Sequence, residues 1–157
     1  MIQAWSFPER AAIIRRAVAR LCLRLDWAPL HEVPLANGRR ADILALRRDG
    51  GFVCIEIKSG LRDFQTDRKW PEYREFSDVF YFAVDADFPA GVLPETEGLM
   101  IVSDYQAELA RESPEIALSS PRRAALLRRW ARLAGGRLAL LEDPAALADV
   151  RGGLLVE

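Results

Sequence analysis

The stretch His31–Gly60, "HEVPLANGRRADILALRRDGGFVCIEIKSG", decides the fold. Asn37-Gly38 is a strong hairpin signal, because both residues tolerate positive φ. It joins a short strand over about 31–36 to a second over about 40–46. Arg47–Gly51, "RRDGG", makes another turn and leads into a third strand over 52–58. In that third strand Val53, Ile55 and Ile57 alternate with Cys54, Glu56 and Lys58, the period of two that marks a strand. The three strands form an antiparallel meander. On one face of the third, Phe52, Cys54, Glu56 and Lys58 run from apolar to charged. A core face opening into a cleft reads this way, and so does a strand end emerging into water.

Helices flank the meander. Ser6 to Glu9 has capping-box spacing with Pro8 in the first turn. Ile14, Val18, Leu21 and Leu25 then recur at helical spacing, with Arg10, Arg16, Arg20 and Arg24 on other faces, so a helix is expected over about 8–25. After Ser59-Gly60, "LRDFQTDRKWPEYREFSD" reads as helix kinked or restarted at Pro71. "VFYFAV" (79–84) is a buried strand, and a Pro/Gly-rich loop covers about 86–98. "GLMIVS" (98–103) is the next strand, with "AELARE" (107–112) as its short hairpin partner. Ser120-Pro121 starts a helix to about 134, which Gly135-Gly136 should stop. The tail from about 137, with a weak helix near 144–149, is expected to dock loosely. This order predicts a single α/β domain over 1–157 built on a mixed sheet.

Composition excludes several classes. The 157 residues, half of them hydrophobic, suit one ordinary globular domain. Lys and Arg number 22 against 23 Asp and Glu, so overall charge does not announce a nucleic-acid binder, and any such binding needs a local patch. Cys22 and Cys54 lie in apolar surroundings and form no CxxC pair or His/Cys cluster, so a structural zinc site is not expected. Reduced core cysteines and the lack of a signal-peptide pattern lead to the expectation of a cytoplasmic protein, nucleoid-associated when acting on DNA. No apolar run approaches about 18 residues, so no membrane span is expected. His31 is the only histidine; a His-based triad is excluded, and His31 reads as a strand-edge residue.

The chemistry is in Asp42, Glu56 and Lys58. Asp42 lies in the second strand and the other two in the third, one hairpin away. Facing side chains on antiparallel neighbours come within roughly 5 Å, or 7–8 Å on the diagonal. Two carboxylates so placed suit Mg²⁺ or Mn²⁺, with a backbone carbonyl such as that of Ile57 as a further ligand. Lys58 would orient a water and offset charge on a phosphate in the transition state. The expected reaction is metal-dependent hydrolysis of a phosphodiester. A Glu-x-Lys pair taken alone also serves as a solvated face with a weak cross-strand ion pair.

With these residues in view, the chain resembles a known pattern. An αβββαβ core with Asp in the second strand and Glu-x-Lys in the third resembles the PD-(D/E)xK nuclease superfamily, with Ala41 standing where the motif name has Pro. Over a longer span, "EVPLANGRRADILAL", "IEIKSGLRDFQTDRKWPEY" and "FYFAVDADFP…GLMIVSDYQAELARESPE" look like the small MmcB-like DNA repair proteins of alphaproteobacteria. The resemblance implies a restriction-endonuclease-like three-layer α/β/α sandwich with a central mixed sheet. It implies Asp42 and Glu56 as metal ligands, Lys58 as the catalytic lysine and an endonuclease role in repair of damaged or structured DNA. Superfamily members often add an acidic residue before the Asp strand, for which Glu32 is the candidate. They often add a polar residue and a Tyr facing the site from the following helix, here Lys69 and Tyr73, with Gln65 as a second candidate. Each of these also reads as an ordinary surface or strand-start residue. Asp63 and Asp67 are assigned to the solvated face, Trp70 to the core, and Ser59-Gly60 to a tight passage or a plain helix entry.

Arg39, Arg40, Arg47, Arg48, Arg62, Arg68 and Lys69 bracket the proposed site and could track a phosphate backbone; Arg122, Arg128, Arg129 and Arg132 gather on the last helix, opposite Leu126, Trp130 and Leu133. Of these, Arg39, Arg40, Arg62, Arg68 and Lys69 are the DNA-binding candidates. Three classes of function compete: a metal-dependent DNA nuclease, a non-cleaving DNA-binding repair accessory on the same fold, and an interaction protein without nucleic acid. A homodimer or a repair-protein partner fits the first two.

Overall fold

A computed structural model describes residues 6–66 and 69–150. Helix α1 runs Phe7–Arg24, opened by the expected capping box: Ser6 N–H donates to Glu9 Oε2 at 2.7 Å and Glu9 N–H to Ser6 Oγ at 3.4 Å. Strands β1 (Trp27–Pro34), β2 (Arg40–Arg47) and β3 (Phe52–Lys58) form the antiparallel meander. β1 starts four residues earlier than its hydrophobic pattern indicates, because Trp27–Leu30 pair with Leu44–Arg47 of β2 despite Pro29, which sits on the sheet edge where a missing N–H is tolerated.

Two short helices follow, α2 (Leu61–Thr66) and α3 (Trp70–Arg74), in place of one kinked helix. Pro71 lies in the first turn of α3, where its missing N–H costs nothing. β4 (Val79–Asp85) and β5 (Gly98–Ser103) lie parallel to β3, and β6 (Gln106–Arg111) returns antiparallel to β5. The six strands lie side by side in chain order in one mixed sheet.

Helix α4 runs Ser120–Glu142, through Gly135-Gly136 rather than ending at 134. A mid-helix glycine costs only about 1 kcal/mol, and contacts beyond it repay that cost: Arg137 donates to the carbonyls of His31 and Glu32 on β1. The stretch 137–142, expected as a loose tail, is therefore helix fastened to the sheet; a 3₁₀ helix, Pro144–Asp149, follows. Positions 67, 68 and 151–157 lie outside the described residues, and with them Asp67 and Arg68.

The sheet is buried on both faces. Ile14, Ala17, Val18 and Leu21 of α1 pack with Ile43, Val53, Ile55, Tyr81 and Met100. On the opposite face Leu126 and Leu133 of α4 pack with Leu44, Phe52, Cys54, Phe80 and Phe82, and Phe64, Trp70, Tyr73 and Trp130 close against them. This is the three-layer α/β/α sandwich with an αβββαβ core, the restriction-endonuclease-like architecture. Cys22 and Cys54 are buried on opposite faces, and burial pushes the Cys22 thiol up to about 12. No described helix is long and apolar enough to cross a membrane.

Candidate metal and phosphodiester site

The site forms where β2 and β3 part. Their register runs from Leu46 opposite Phe52 to Ile43 opposite Ile55 and stops there. One step further would set Asp42 opposite Glu56. Side chains bridge the gap instead: Asp42 N–H donates to Glu56 Oε1 at 3.2 Å, and Ile57 N–H donates to Asp42 Oδ2 at 2.8 Å.

β1 prepares this opening from the other side. Its ladder with β2 pairs His31 with Ile43 and Val33 with Ala41 but skips Glu32 and Asp42. Glu32 has φ of 50°, a left-handed conformation that costs a non-glycine residue roughly 1–2 kcal/mol. The carbonyl that this twist turns out of the ladder accepts from Arg137 at 2.7 Å.

Glu56 and Lys58 are buried, at 3% and 4% exposure, on the face of β3 that carries Phe52 and Cys54. The apolar-to-charged run on that face is thus buried through Lys58 and is not a strand end in water. Beneath it lie the rings of Phe64, Trp70, Phe80 and Phe82, with centroids 5.1–5.8 Å apart in the recorded pairs. Trp70 is the core anchor that its sequence setting indicates. Lys58 Nζ approaches Asp63 Oδ1 at 4.0 Å, so Asp63 turns toward the site instead of belonging to a purely solvated face.

Electrostatics tie the two carboxyls together. Burial first, then the adjacent Asp42 carboxylate, pushes Glu56 up to about 9. Burial also raises Asp42, against the hydrogen bond from Ile57. Two carboxylates so close in a dry setting disfavour each other's charge, and the adjacent Lys58 offsets this only in part.

A cavity of about 230 Å³ adjoins this pair, lined by Pro8, Ala11, Ala12 and Arg15 of α1 together with Glu32, Asp42, Ile57, Ser59 and Asp63. Glu56 and Lys58 are not on its wall; Asp42 is the member of the trio that faces it. Glu32, the third acidic candidate, is on the wall and pairs with Arg40 at 3.7 Å. Among the described residues no three His, Cys, Asp or Glu side chains gather as a metal-binding group, so the compact donor pair is Asp42 and Glu56. The pair fits a hard divalent cation by its donor chemistry, two carboxyl groups brought together in a buried setting.

Other candidates fall at varying distances from this centre. Gln65 and Arg62 are exposed on α2, and Lys69 is exposed just before α3, while Tyr73 packs against the core. Arg39 is ion-paired with Glu72 of α3, tying the β1–β2 turn to that helix. Arg47 and Arg48 do not bracket the site. They lie at the far end of β2, where Arg47 pairs with Asp49 and Glu115, and Arg48 with Asp26 at 2.9 Å. The length of β2 separates them from Asp42, which a count of nearby arginines misses. On α4, Arg122 lies over the Phe76 ring at 4.9 Å. Gly60 admits Phe7, whose ring would stand 2.9 Å from any added Cβ, so the tight passage after Lys58 is where α1 comes close.

Arg15 and Arg137 are the site residues that the sequence reading misses. Pro8, Ala11, Ala12 and Arg15 recur at the spacing of a single helical face, a signal present in the sequence but masked by the stronger apolar stripe.

The model of the family of MmcB-like DNA repair proteins matches residues 3–145. The chain belongs to this family. No functionally curated protein matches it. Among solved structures, a protein of unknown function from Silicibacter pomeroyi is similar at 38% identity, with a TM-score of 0.83 over 87% of this chain and 93% of that one. A repair endonuclease from Pyrococcus abyssi is similar at 17% identity and a TM-score of 0.40, over 74% of this chain and 50% of the other.

Proposed function

We propose that this MmcB-like protein is a divalent-metal-dependent DNA endonuclease of DNA repair, hydrolysing phosphodiester bonds in damaged or structured DNA. The observation that carries this reading is the Asp42–Glu56 pair: the Asp42 main-chain N–H donates to the Glu56 carboxyl at 3.2 Å, Ile57 N–H donates to the Asp42 carboxyl at 2.8 Å, and Lys58 is buried two residues on from Glu56. Mg²⁺ or Mn²⁺ would be held by Asp42 and Glu56, with the Ile57 carbonyl as a further candidate, and would supply charge to stabilise a pentacoordinate phosphate. Ile57 N–H fixes the Asp42 carboxylate. Lys58 has its ammonium held by a packed stem, and positions a water against the phosphorus while countering charge on the phosphate.

The reading is tested by cleavage of labelled single-stranded, duplex, flap and nicked DNA with Mg²⁺, with Mn²⁺ and with chelator. Metal-dependent cutting lost in Asp42→Ala, Glu56→Ala and Lys58→Ala is expected. Full activity in all three variants sinks it.

A second reading, a non-cleaving DNA-binding repair accessory, is favoured by one observation: Glu56 and Lys58 are closed off from the cavity that Asp42 faces. Salt-sensitive DNA binding without cutting on any substrate would decide for it.

A further inference from the structure

Helix α1 carries arginines in two different situations. Arg10 reaches Asp85 at 3.3 Å, Arg20 donates to the Tyr105 carbonyl at 2.7 Å, and Arg24 to the Ala107 carbonyl at 3.1 Å. These three fasten the helix over β4 and the β5–β6 hairpin. Arg16 is exposed to solvent. Arg15 is half-buried on the face that carries Pro8, Ala11 and Ala12, and it lines the cavity beside Asp42. That cavity holds three carboxylates, of Glu32, Asp42 and Asp63, yet among the described residues none makes an ion pair or hydrogen bond with Arg15. Its recorded electrostatic effect is on His31, whose pKa is lowered by burial first and then by Arg15 and Arg137.

The cavity, of about 230 Å³ and open to solvent, has room for a phosphodiester group between Ala11 and Ala12 of α1 and Asp42 and Ile57 of the sheet.

We propose that Arg15 is a positioning residue that holds a non-bridging oxygen of the substrate phosphodiester in this cavity. The substrate is gripped by its backbone beside Asp42. The inference rests on the nuclease reading above and names the group that grips its substrate. A planar guanidinium suits the task because it engages two phosphate oxygens at once. It is the one cationic side chain among the described residues that line the cavity, so an anion entering beside Glu32, Asp42 and Asp63 would meet it.

The test is fluorescence anisotropy of labelled duplex and single-stranded oligonucleotides with the full chain, in chelator so that nothing is cut, across a KCl series. Arg15→Ala and Arg15→Gln should weaken binding about tenfold and lower the slope of log affinity against log salt by about 1. Arg15→Lys should keep the slope and recover part of the affinity. Thermal melts of all three should stay near wild type, since Arg15 makes no structural hydrogen bond among the described residues. Wild-type affinity and slope in all three variants, with wild type itself binding and cutting DNA, overturns the role of Arg15 and leaves the nuclease reading intact. A lowered melting temperature with an unchanged slope also overturns it, by making Arg15 structural. No binding and no cutting by wild type on any DNA overturns both.

Discussion

Arg137 donates to the backbone carbonyl of Glu32 at 2.7 Å, and to that of His31 as well. The pair links the end of α4 to the one mid-strand residue of β1 with a left-handed backbone, directly beside the Asp42 opening. Hydrogen bonds from a charged donor are each worth roughly 1.5–3 kcal/mol. Arg137→Ala should cost about 2 kcal/mol, seen as a fall of roughly 4–8 °C in melting temperature. Glu32→Gly should move the other way by about 1 kcal/mol, because glycine adopts φ near 50° without strain. Calorimetry on both variants reads the two shifts, and a neutral Arg137→Ala would show that α4 does not hold the twist.

Helix α4 continues through two glycines, and this too can be checked. A Cβ added at Gly135 meets nothing within 4 Å. Gly135→Ala should therefore stabilise by about 0.5–1 kcal/mol, through helix propensity and a less flexible unfolded chain. If the helix ended near 134 instead, with Gly135 as its cap, the same substitution would lower the melting temperature.

What could be read in advance follows from how local each signal is. Asn37-Gly38, the alternation through Glu56 and the Ser6–Glu9 box act between near neighbours, so the meander, α1 and the Asp42–Glu56–Lys58 grouping were legible. The twist of β1 at Glu32 is not legible, because its carbonyl is held by Arg137, about a hundred residues away. Local propensity marks the glycine pair as a stop; the distant contact that outweighs it has no sequence signature. Asp63 and Arg15 look like surface charges until α1 and α2 are set beside the sheet. Asp78 carries no local signal for the same reason: its partners come from three separate segments.

Asp78, 1% exposed, is a structural hub. Its Oδ1 accepts from Leu118 N–H at 2.9 Å and from Arg123 at 2.6 Å, and its Oδ2 from Phe52 N–H at 2.7 Å and from Arg123 at 2.8 Å. Burial opposes its charge, but the bonds from Arg123, Phe52 and Leu118 outweigh that and bring the carboxyl down to about 2. A folded pKa below the ordinary 3.8 gives stability that is complete above about pH 4 and is lost as pH falls toward 2. The loss should be roughly 2 kcal/mol. Asp78→Asn should cost about 3 kcal/mol at pH 7 and remove this acid-sensitive component. Urea unfolding at pH 7, 4 and 3 measures both. An acid limb identical in wild type and variant would assign the sensitivity to other carboxylates.

Glu56 has the opposite sign. Its carboxyl is pushed up to about 9 from an ordinary 4.5, chiefly by burial and then by Asp42. Below about pH 4.5 the folded and unfolded chains both hold the proton, so the group has no effect on stability. As pH rises from there the unfolded chain releases the proton while the fold retains it, and folding without metal becomes steadily less favourable. Glu56→Gln keeps the shape of the protonated carboxyl and cannot ionise. Its melting temperature in chelator should exceed that of wild type at pH 8, with the gap closing toward pH 4.5. A divalent cation held by Asp42 and Glu56 should reverse the order by displacing the proton from Glu56. Mn²⁺ added at pH 8 should raise the wild-type melting temperature and release protons on titration in weak buffer, while Glu56→Gln responds to neither measurement. Equal melting of the two proteins in chelator at pH 8 would mean that Glu56 is already ionised in the fold. Equal stabilisation of both by Mn²⁺ would place the ion away from this pair.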